Sequence, residues 1–215
     1  MYKELNLYDE QLSEQQAQDK FFKAIDLGVD GICTPIYFLP LLSSHVPDGL
    51  TLSVPIDYPN GMSDTRVKNH AIMNAIRKGA NAVDVVLNPH YIVNGKLELI
   101  SEGLSSYLGL CEDKNITLRV MLEYRSHELE KLLYVASLLV ELNIEYVFPS
   151  TGHRVDTYTD NLLAGQSIHH KYPTLNVITN GNIWNHAQYQ SILNSKVYGV
   201  RFNSIHALQN CLGGV

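Results

Sequence analysis

Short apolar segments and amphipathic helical segments alternate along the chain. In the clearest case, DTRVKNHAIMNAIRKG predicts a helix, and ANAVDVVLN directly after it predicts a strand. Two further pairs follow the same order, SEQQAQDKFFKAIDLG with VDGICTP and SHELEKLLYVASLLVELN with IEYVFPS. The apolar segments are continuous rather than alternating with polar residues, which is typical of parallel strands buried on both faces. The pattern therefore predicts repeated strand–helix units around a parallel sheet.

The ends of the helical segments carry residues that start and stop helices. Ser13 and Gln16 form the pattern of a capping box. Asp64 and Ser126 stand where an N-cap is expected. Left-handed residues after a helix are expected at Gly28, Gly79 and Asn143. These signals agree with the apolar pattern on where three of the helices begin and end.

Eight apolar segments qualify as strands. They lie near residues 4–8, 31–35, 51–56, 82–87, 117–123, 145–149, 175–180 and 197–202. Eight such units predict an α/β fold, a closed (β/α)8 TIM barrel, and no linker divides residues 1–215 into domains. An open, doubly wound sheet is the alternative. The absence of a GxGxxG or GxxxxGKS/T motif weakens that alternative, because nucleotide-binding open sheets commonly use such loops.

Composition and charge limit the function classes. Hydrophobic residues make up 45% of the chain and charged residues 18%, as in globular proteins. The formal net charge of −6 argues against a surface that binds nucleic acid. The cysteines Cys33, Cys111 and Cys211 are widely spaced, which predicts reduced thiols in a cytoplasmic protein. No apolar run approaches the roughly 18 residues of a membrane span, so we expect no membrane partner.

Asp84 is the most distinctive polar residue of the predicted barrel, whose chemistry is expected at the C-terminal ends of the strands. It lies inside the apolar strand AVDVVLN. Burial raises the pKa of an unpaired carboxyl and suits it to general acid/base catalysis, the interpretation that we favour. The alternative is a structural carboxylate paired with an inward arginine such as Arg119. The further candidate catalytic residues are Cys33, Glu123 and His153.

Glycines and a helix start follow the last three predicted strands. Glycine lets backbone N–H groups approach an anion, and the N-terminus of a helix attracts one. Barrels often bind phosphate at this position. The candidate phosphate-binding or ligand-binding residues are Ser150, Thr151, Gly152, Gly181, Asn182, Asn203 and Ser204.

Histidines in the same loops suggest a divalent metal site as an alternative. They are His90, His127, His153, His186 and His206, with Asp57, Asp84 and Glu123 as carboxylate partners. No HxH or HExxH spacing is present, so we expect neither a metal nor another cofactor. A metal-free enzyme that activates a carbonyl needs an amine to form a Schiff base. No lysine is expected at the C-terminal end of a strand.

Motifs along nearly the whole chain follow the order of one enzyme family. The second-strand segment is GICTPIYFLP, and the third and fourth strands lie in LSVPIDYPNGMSDTRVKNHAIMNAIRKGANAVDVVLN. The segments of strands five to eight are LRVMLEYRSHELEKL, EYVFPSTGH, LNVITNGNI and YGVRFNS. Together they resemble the deoxyribose-phosphate aldolases, class I aldolases on a (β/α)8 barrel. The resemblance implies retro-aldol cleavage of deoxyribose 5-phosphate to glyceraldehyde 3-phosphate and acetaldehyde.

The resemblance fails at the catalytic lysines. It puts the family's Schiff-base lysine at Phe148 and the following threonine at Pro149. The second lysine, which lowers the pKa of the first, falls on Ile178. The acidic residue, Asp84, the cysteine, Cys33, and much of the phosphate-binding segment are retained. The resemblance thus implies a divergent member of a lyase family that lacks both lysines.

We therefore predict an aldolase-like protein that binds a small phosphorylated sugar at the C-terminal face, without lysine Schiff-base chemistry. One alternative is an altered lyase or isomerase, with or without a metal, that uses Asp84 as general acid/base. The other is a non-catalytic regulator, that is, a pseudoenzyme. A homodimer is left open as the oligomeric state.

Overall fold

Eight short parallel strands form the wall of a closed barrel in the computed structural model, which describes residues 1–9, 11–154 and 157–213. The strands are β1 (Tyr2–Asn6), β2 (Gly31–Cys33), β3 (Thr51–Ile56), β4 (Ala82–Val86), β5 (Thr117–Met121), β6 (Tyr146–Phe148), β7 (Asn176–Thr179) and β8 (Gly199–Phe202). They pair in sequence order, and β8 pairs with β1. The predicted (β/α)8 barrel is confirmed, and the open sheet is wrong.

Helices surround this wall and bury their apolar faces against it. They are α1 (Glu14–Asp26), α2 (Leu39–Leu42), α3 (Thr65–Arg77), α4 (Pro89–Val93), α5 (Leu97–Glu112), α6 (Leu129–Glu141), α7 (Tyr158–Lys171), α8 (His186–Leu193) and α9 (Ile205–Leu212). In the part of the chain that the structure describes, none of them combines the length and apolar character that crossing a membrane requires. Because helices cover the outer face of the wall and side chains fill its inside, the strands read as continuous apolar runs.

The capping signals largely predict the helix boundaries. Ser13 caps α1, where its Oγ accepts from Gln16 N (3.2 Å) and its own N–H donates to Gln16 Oε1 (2.9 Å). Asp64 caps α3 by accepting from Val67 N (3.0 Å). The expected left-handed residues have φ values of 71°, 98° and 57° at Gly28, Gly79 and Asn143. These predictions are confirmed.

The expected N-cap at Ser126 is wrong. Ser126 lies in a 3₁₀ turn, Tyr124–Ser126, and α6 begins only at Leu129, after Glu128. The physical reason is a contact with the next strand, because Tyr124 N donates to Pro149 O over 3.0 Å. The pairing of β5 with β6 thus continues past the strand ends, and the chain turns once more before the helix starts.

The inside of the barrel contains a polar layer and, nearer the C-terminal ends of the strands, an apolar layer. The polar layer consists of Glu4, Cys33, Ser53, Asp84, Arg119 and Arg201, and the apolar layer of Val86, Met121, Phe148 and Ile178. The strand register fixes this order, because Asp84 pairs with Arg119 and, two residues on, Val86 pairs with Met121. The apolar layer therefore lies between the polar layer and the mouth of the barrel.

Candidate functional site

Asp84 belongs to a cluster of four buried charges in the polar layer. Arg119 Nε donates to Asp84 Oδ1 over 2.6 Å, and Arg201 Nη2 pairs with Asp84 Oδ2. The same two arginines bind Glu4, with distances to Glu4 Oε1 of 2.9 Å from Arg119 Nη2 and 3.1 Å from Arg201 Nη2. All four side chains are at most 3% exposed. Two carboxylates and two guanidiniums thus form an ion-pair quartet with no formal net charge.

The quartet overturns the expected rise in the pKa of Asp84. Burial by itself would raise that pKa, but the guanidiniums of Arg119 and Arg201 outweigh burial and hold the pKa below its usual value. The carboxylate also accepts from Ser53 Oγ over 3.2 Å. The structure therefore shows the structural pairing with Arg119 that was the alternative, and an acid/base role for Asp84 stays a prediction.

Cys33 lies against the quartet and is a neutral thiol. Its Sγ is 3.7 Å from Asp84 Oδ2, and burial raises the pKa of the thiol to about 12. The thiolate is the reactive form of cysteine, so a pKa this high leaves Cys33 unreactive near neutral pH. Cys33 therefore contributes a weak donor to the polar layer.

Phe148 and Ile178 form the part of the apolar layer where the family resemblance places the two lysines. Both are fully buried. The guanidinium carbons of Arg201 and Arg119 lie 4.2 and 5.2 Å from the centre of the Phe148 ring. These distances are those of cation–π contacts, so the ring shields the quartet from the mouth. No amine from β6 or β7 enters this part of the interior.

The loop after β6 satisfies its own backbone donors. Gly152 N donates to Ser150 Oγ (3.1 Å), and His153 N donates to Thr151 Oγ1 (3.3 Å). Thr151 N faces Glu123 Oε2 at 3.4 Å, and Thr151 Oγ1 donates to the same oxygen over 2.8 Å. Each of these N–H groups therefore already has an oxygen acceptor, and anion binding by this loop stays a prediction.

Two buried asparagines organise this loop: Asn180, which the sequence places at the end of a strand, and Asn161, which it did not single out. Asn180, after β7, donates through Nδ2 to Ser150 O over 2.7 Å. Asn161 of α7 donates to Ser150 Oγ and to Asn180 Oδ1, both over 2.9 Å. Asn161 and Asn180 are almost completely buried. The sequence signal was weak, because α7 is only slightly amphipathic and Asn161 is one of many polar residues in it.

The residues expected after β7 and β8 come together at the rim of the mouth. Asn203 Nδ2 donates to Asn182 Oδ1 over 3.1 Å. Ser204 caps α9 by accepting from Ala207 N over 3.1 Å. Gly181 permits close packing, because a Cβ there would lie 2.6 Å from the Cα of Tyr158 in α7. The rim is thus built by β7, β8, α7 and α9.

The four candidate catalytic residues do not form one site. Asp84 and Cys33 lie in the polar layer, whereas Glu123 and His153 follow the strand ends on the other side of the apolar layer. Glu123 Oε2 binds Thr151, and Glu123 Oε1 is buried without a described hydrogen bond. His153 is exposed, and its ring centre is 5.8 Å from that of Tyr58. The apolar layer separates the two pairs.

The expected histidine ligands do not converge within residues 1–9, 11–154 and 157–213. The candidate metal-binding group found there is Glu4, Cys33 and Asp84, which contains no histidine. Its carboxylates are already paired with arginines, and its thiol is protonated, so the group does not fit a cation. His186 hydrogen-bonds through Nδ1 with Cys211 O over 2.8 Å. The metal alternative gains no support from these residues.

One lysine lies closer to a strand end than expected. Lys68 of α3 is 2% exposed, and its Nζ donates to Val86 O, the last residue of β4, over 2.6 Å. It approaches from outside the barrel wall, where the helix packs. Lys68 itself belongs to α3, as expected, and only its side chain reaches the end of β4, with the amine outside the interior of the barrel.

Comparison with known proteins finds similarity to deoxyribose-phosphate aldolases. No protein-family model matches the chain. Deoxyribose-phosphate aldolases of Streptococcus agalactiae and Streptococcus pyogenes are each 26% identical to it over 120 residues, which is 56% of this chain and 53% of the relative. The match therefore spans about half the length of these curated relatives.

Solved structures extend the likeness in fold to nearly the whole chain. An aldolase designated QR15 superposes with a TM-score of 0.86 at 19% identity, covering 99% of this chain and 92% of that one. The deoxyribose phosphate aldolase from Aeropyrum pernix, described as tetrameric, gives 0.84 at 16% identity and covers 98% and 88%. At such identities the superpositions show the fold alone, and the sequence match covers about half of the chain. The sequence match and the superpositions agree in one respect: this chain is similar to deoxyribose-phosphate aldolases in part of its sequence and in its whole fold.

Proposed function

We propose that this protein binds a small phosphorylated sugar at the rim of the barrel and performs no lysine Schiff-base chemistry. The observation that carries the proposal is the buried apolar layer. Phe148 and Ile178 close the interior where an aldolase of this class needs an amine. Polar groups that can contact a ligand are then those above this layer, at the ends of β6, β7 and β8.

The rim supplies the groups that a sugar phosphate requires. The first-turn N–H groups of α9, at Ile205 and His206, lack intrahelical acceptors and suit a phosphate. The side-chain amides of Asn182 and Asn203 meet beside them and suit sugar hydroxyls. Because the N–H groups of the 150–153 loop already have acceptors, the phosphate is assigned to α9 and the β7 end. Gly152 and its neighbours then shape the loop.

Two alternatives remain less well supported. An altered enzyme that uses Asp84 as a general acid needs a carboxyl protonated near neutral pH, whereas the pKa of Asp84 is lowered. The second alternative, a non-catalytic regulator, is consistent with the missing amine. It differs from our proposal only in what ligand binding brings about. No observation favours the first alternative over sugar-phosphate binding.

A sugar phosphate is expected to raise the melting temperature. A ligand that binds only the folded state stabilises it by about 1.4–2.7 kcal/mol at 10–100 times its Kd. For a chain of this size that corresponds to roughly 3–10 °C. Thermal unfolding with deoxyribose 5-phosphate, and with unphosphorylated deoxyribose as control, measures the shift.

The variant Asn203→Asp tests whether the phosphate binds at the rim beside α9. It keeps the size of the side chain and adds a negative charge beside the assigned phosphate, so the ligand-induced shift is expected to disappear. An equal shift in wild type and variant would place the phosphate elsewhere. No shift in wild type at millimolar ligand would refute sugar-phosphate binding.

Borohydride reduction in the presence of deoxyribose 5-phosphate is expected to leave no adduct inside the barrel. Reduction traps an imine only where a neutral amine meets the aldehyde, and Phe148 and Ile178 supply none. Intact mass followed by peptide mapping makes the measurement, and a lysine-bearing deoxyribose-phosphate aldolase serves as the positive control. A single adduct at one lysine near the strand ends, with Lys96 the first to check, would overturn the proposal.

The oligomeric state and compartment are part of the same proposal. A related aldolase is described as tetrameric, and we extend self-association to this chain as a homodimer. Sedimentation measures it directly, and a monomer at high micromolar concentration would refute it. The cytoplasmic assignment is supported by three buried cysteines without disulfides. A periplasmic or secreted location in a fractionation experiment would contradict it.

A further inference from the structure

Lys68 is a buried lysine with a complete set of acceptors. Its Nζ donates to Val86 O (2.6 Å) and to Gly61 O (2.8 Å) and lies 3.4 Å from Asp57 Oδ2. An ammonium has three N–H donors, and these three oxygens can take all of them. Burial lowers the pKa of Lys68, and the charge of Asp57 opposes that fall. The side chain therefore joins the end of β4 to the segment between β3 and α3.

The segment that Lys68 holds, residues 57–63, is tightly constrained at several points. Asp57 has a positive φ of 58°, which is uncommon for a residue other than glycine. Its carboxylate accepts from Ser63 N (2.7 Å) and Ser63 Oγ (2.8 Å). A Cβ at Gly61 would lie 2.3 Å from Leu87 O, so the loop approaches β4 as closely as only glycine allows. The loop is thus fixed at both ends and in the middle.

Tyr58 is the residue that this loop presents to the mouth of the barrel. Its ring packs against the apolar layer. On the mouth side, the Tyr58 ring centre is 4.8 Å from that of Tyr8 and 5.8 Å from that of His153. Tyr58 therefore lies between the closed interior and the rim, at the point where a ligand would enter.

Lys68 has no room to act as a nucleophile itself. The chamber beside its amine is enclosed by Ser63, Leu87, Asn88, Tyr91 and Tyr107, among others, and is about the size of one water molecule. An amine with three acceptors on the outer side of the wall cannot meet a sugar at the mouth. Its contribution is the position of the loop.

We infer that Lys68 is a positioning residue of the candidate ligand site: it holds residues 57–63 against the end of β4, so that Tyr58 covers the interior and restricts the ligand to the rim. The location of the ligand rests on the proposed function. The position of Tyr58 does not, because it follows from contacts within the loop.

Fluorine NMR of protein labelled with 3-fluorotyrosine tests the inference without any ligand. The Tyr58 signal is assigned by its loss in Tyr58→Phe, and Tyr189 of α8 provides a distant reference signal. In Lys68→Met, which keeps the apolar stem and removes the amine, the Tyr58 signal is expected to move to the position of a solvent-exposed ring. Arg66→Met, on the exposed face of the same helix, is the matched control and should leave the spectrum unchanged.

The result of the fluorine NMR experiment can be distinguished from the result of the sugar-phosphate binding experiment. A Tyr58 signal that stays in place in Lys68→Met, while Tyr189 is also unchanged, would overturn the inference even if the ligand binds. Loss of deoxyribose 5-phosphate binding in wild type would instead refute the proposed function and leave the loop result standing.

Two further measurements apply if Lys68→Met does not fold. In Asp57→Asn the shape of the side chain is kept and its charge is lost, so the Tyr58 signal is expected to move in the same direction by a smaller amount. In wild type, the amides of Gly61 and Ser63 are expected to exchange with solvent as slowly as those of α3. Fast exchange of both amides would show that Lys68 does not fix the loop.

Discussion

Replacing Asp84 by asparagine is expected to lower the free energy of unfolding by about 3–5 kcal/mol. The substitution removes one negative charge from the quartet and leaves Arg119 and Arg201 facing only Glu4. Both guanidiniums stay buried, because they also pack against Phe148. An unpaired charge in the interior costs far more than the loss of an exposed ion pair.

Urea unfolding of wild type and Asp84→Asn makes this measurement. Lys20→Met is the control, since it removes a surface pair whose Lys20 Nζ and Asp9 Oδ2 are 3.9 Å apart. That variant is expected to lose less than about 1 kcal/mol. If Asp84→Asn lost no more than the control, the quartet would not hold the interior together.

The same carboxylate predicts how stability depends on pH. The pKa of Asp84 is lower in the folded protein than its value of about 3.9 in an unfolded chain. Its contribution is therefore complete above pH 4 and is lost as the pH falls through the lowered value. Below pH 4, wild type is expected to lose stability more steeply than Asp84→Asn. Parallel curves would contradict a lowered pKa.

Replacing Phe148 by lysine is expected to be the second severe change. The new ammonium would stand within the apolar layer, where the Phe148 ring now meets Arg201 at 4.2 Å and Arg119 at 5.2 Å. The quartet has no spare negative charge, so the amine meets two guanidiniums and no partner. We expect a loss of about 3–5 kcal/mol at pH 7 relative to Phe148→Met, which removes the ring without adding a charge.

The pH dependence separates charge from packing in this pair of variants. Repulsion lowers the pKa of the introduced amine below the value of about 10.4 of an unfolded lysine. The difference between the two variants should therefore shrink as the pH rises through the lowered pKa towards 10, because the amine becomes neutral in the folded state. Urea midpoints at pH 7 and 9.5 test this. A constant difference would mean that shape, and not charge, causes the loss.

The fold could be predicted from the sequence because its signals are local. Each helix–strand unit carries its own apolar pattern, and residues such as Ser13 and Asp64 bind N–H groups only three positions away. The predicted N-cap at Ser126 is wrong because the deciding hydrogen bond, from Tyr124 N to Pro149 O, joins the ends of two different strands. Capping residues therefore predict helix starts well, except where a neighbouring strand forms hydrogen bonds with the same backbone groups.

The candidate site was harder to predict because its partners are distant along the chain. The pKa of Asp84 depends on Arg201, which is 117 positions away, and on Arg119, 35 positions away. A single sequence identifies a buried carboxylate without specifying which charge it meets. Asn161 and Ser150 are closer, at 11 positions, yet their contact needs the packing of α7 on the barrel. The sequence shows which residue types are present, but it does not show which of them contact each other in the folded protein.

The apolar layer has a consequence for how this barrel can change. The buried quartet that stabilises the fold lies below Phe148, where no ligand at the rim can touch it. Asn182 and Asn203 lie above Phe148, are exposed and contribute little to stability. Because the apolar layer separates them, substitutions on the two sides are expected to act independently. A designer, or natural selection, could thus exchange one recognition surface for another on this scaffold without having to rebuild its interior.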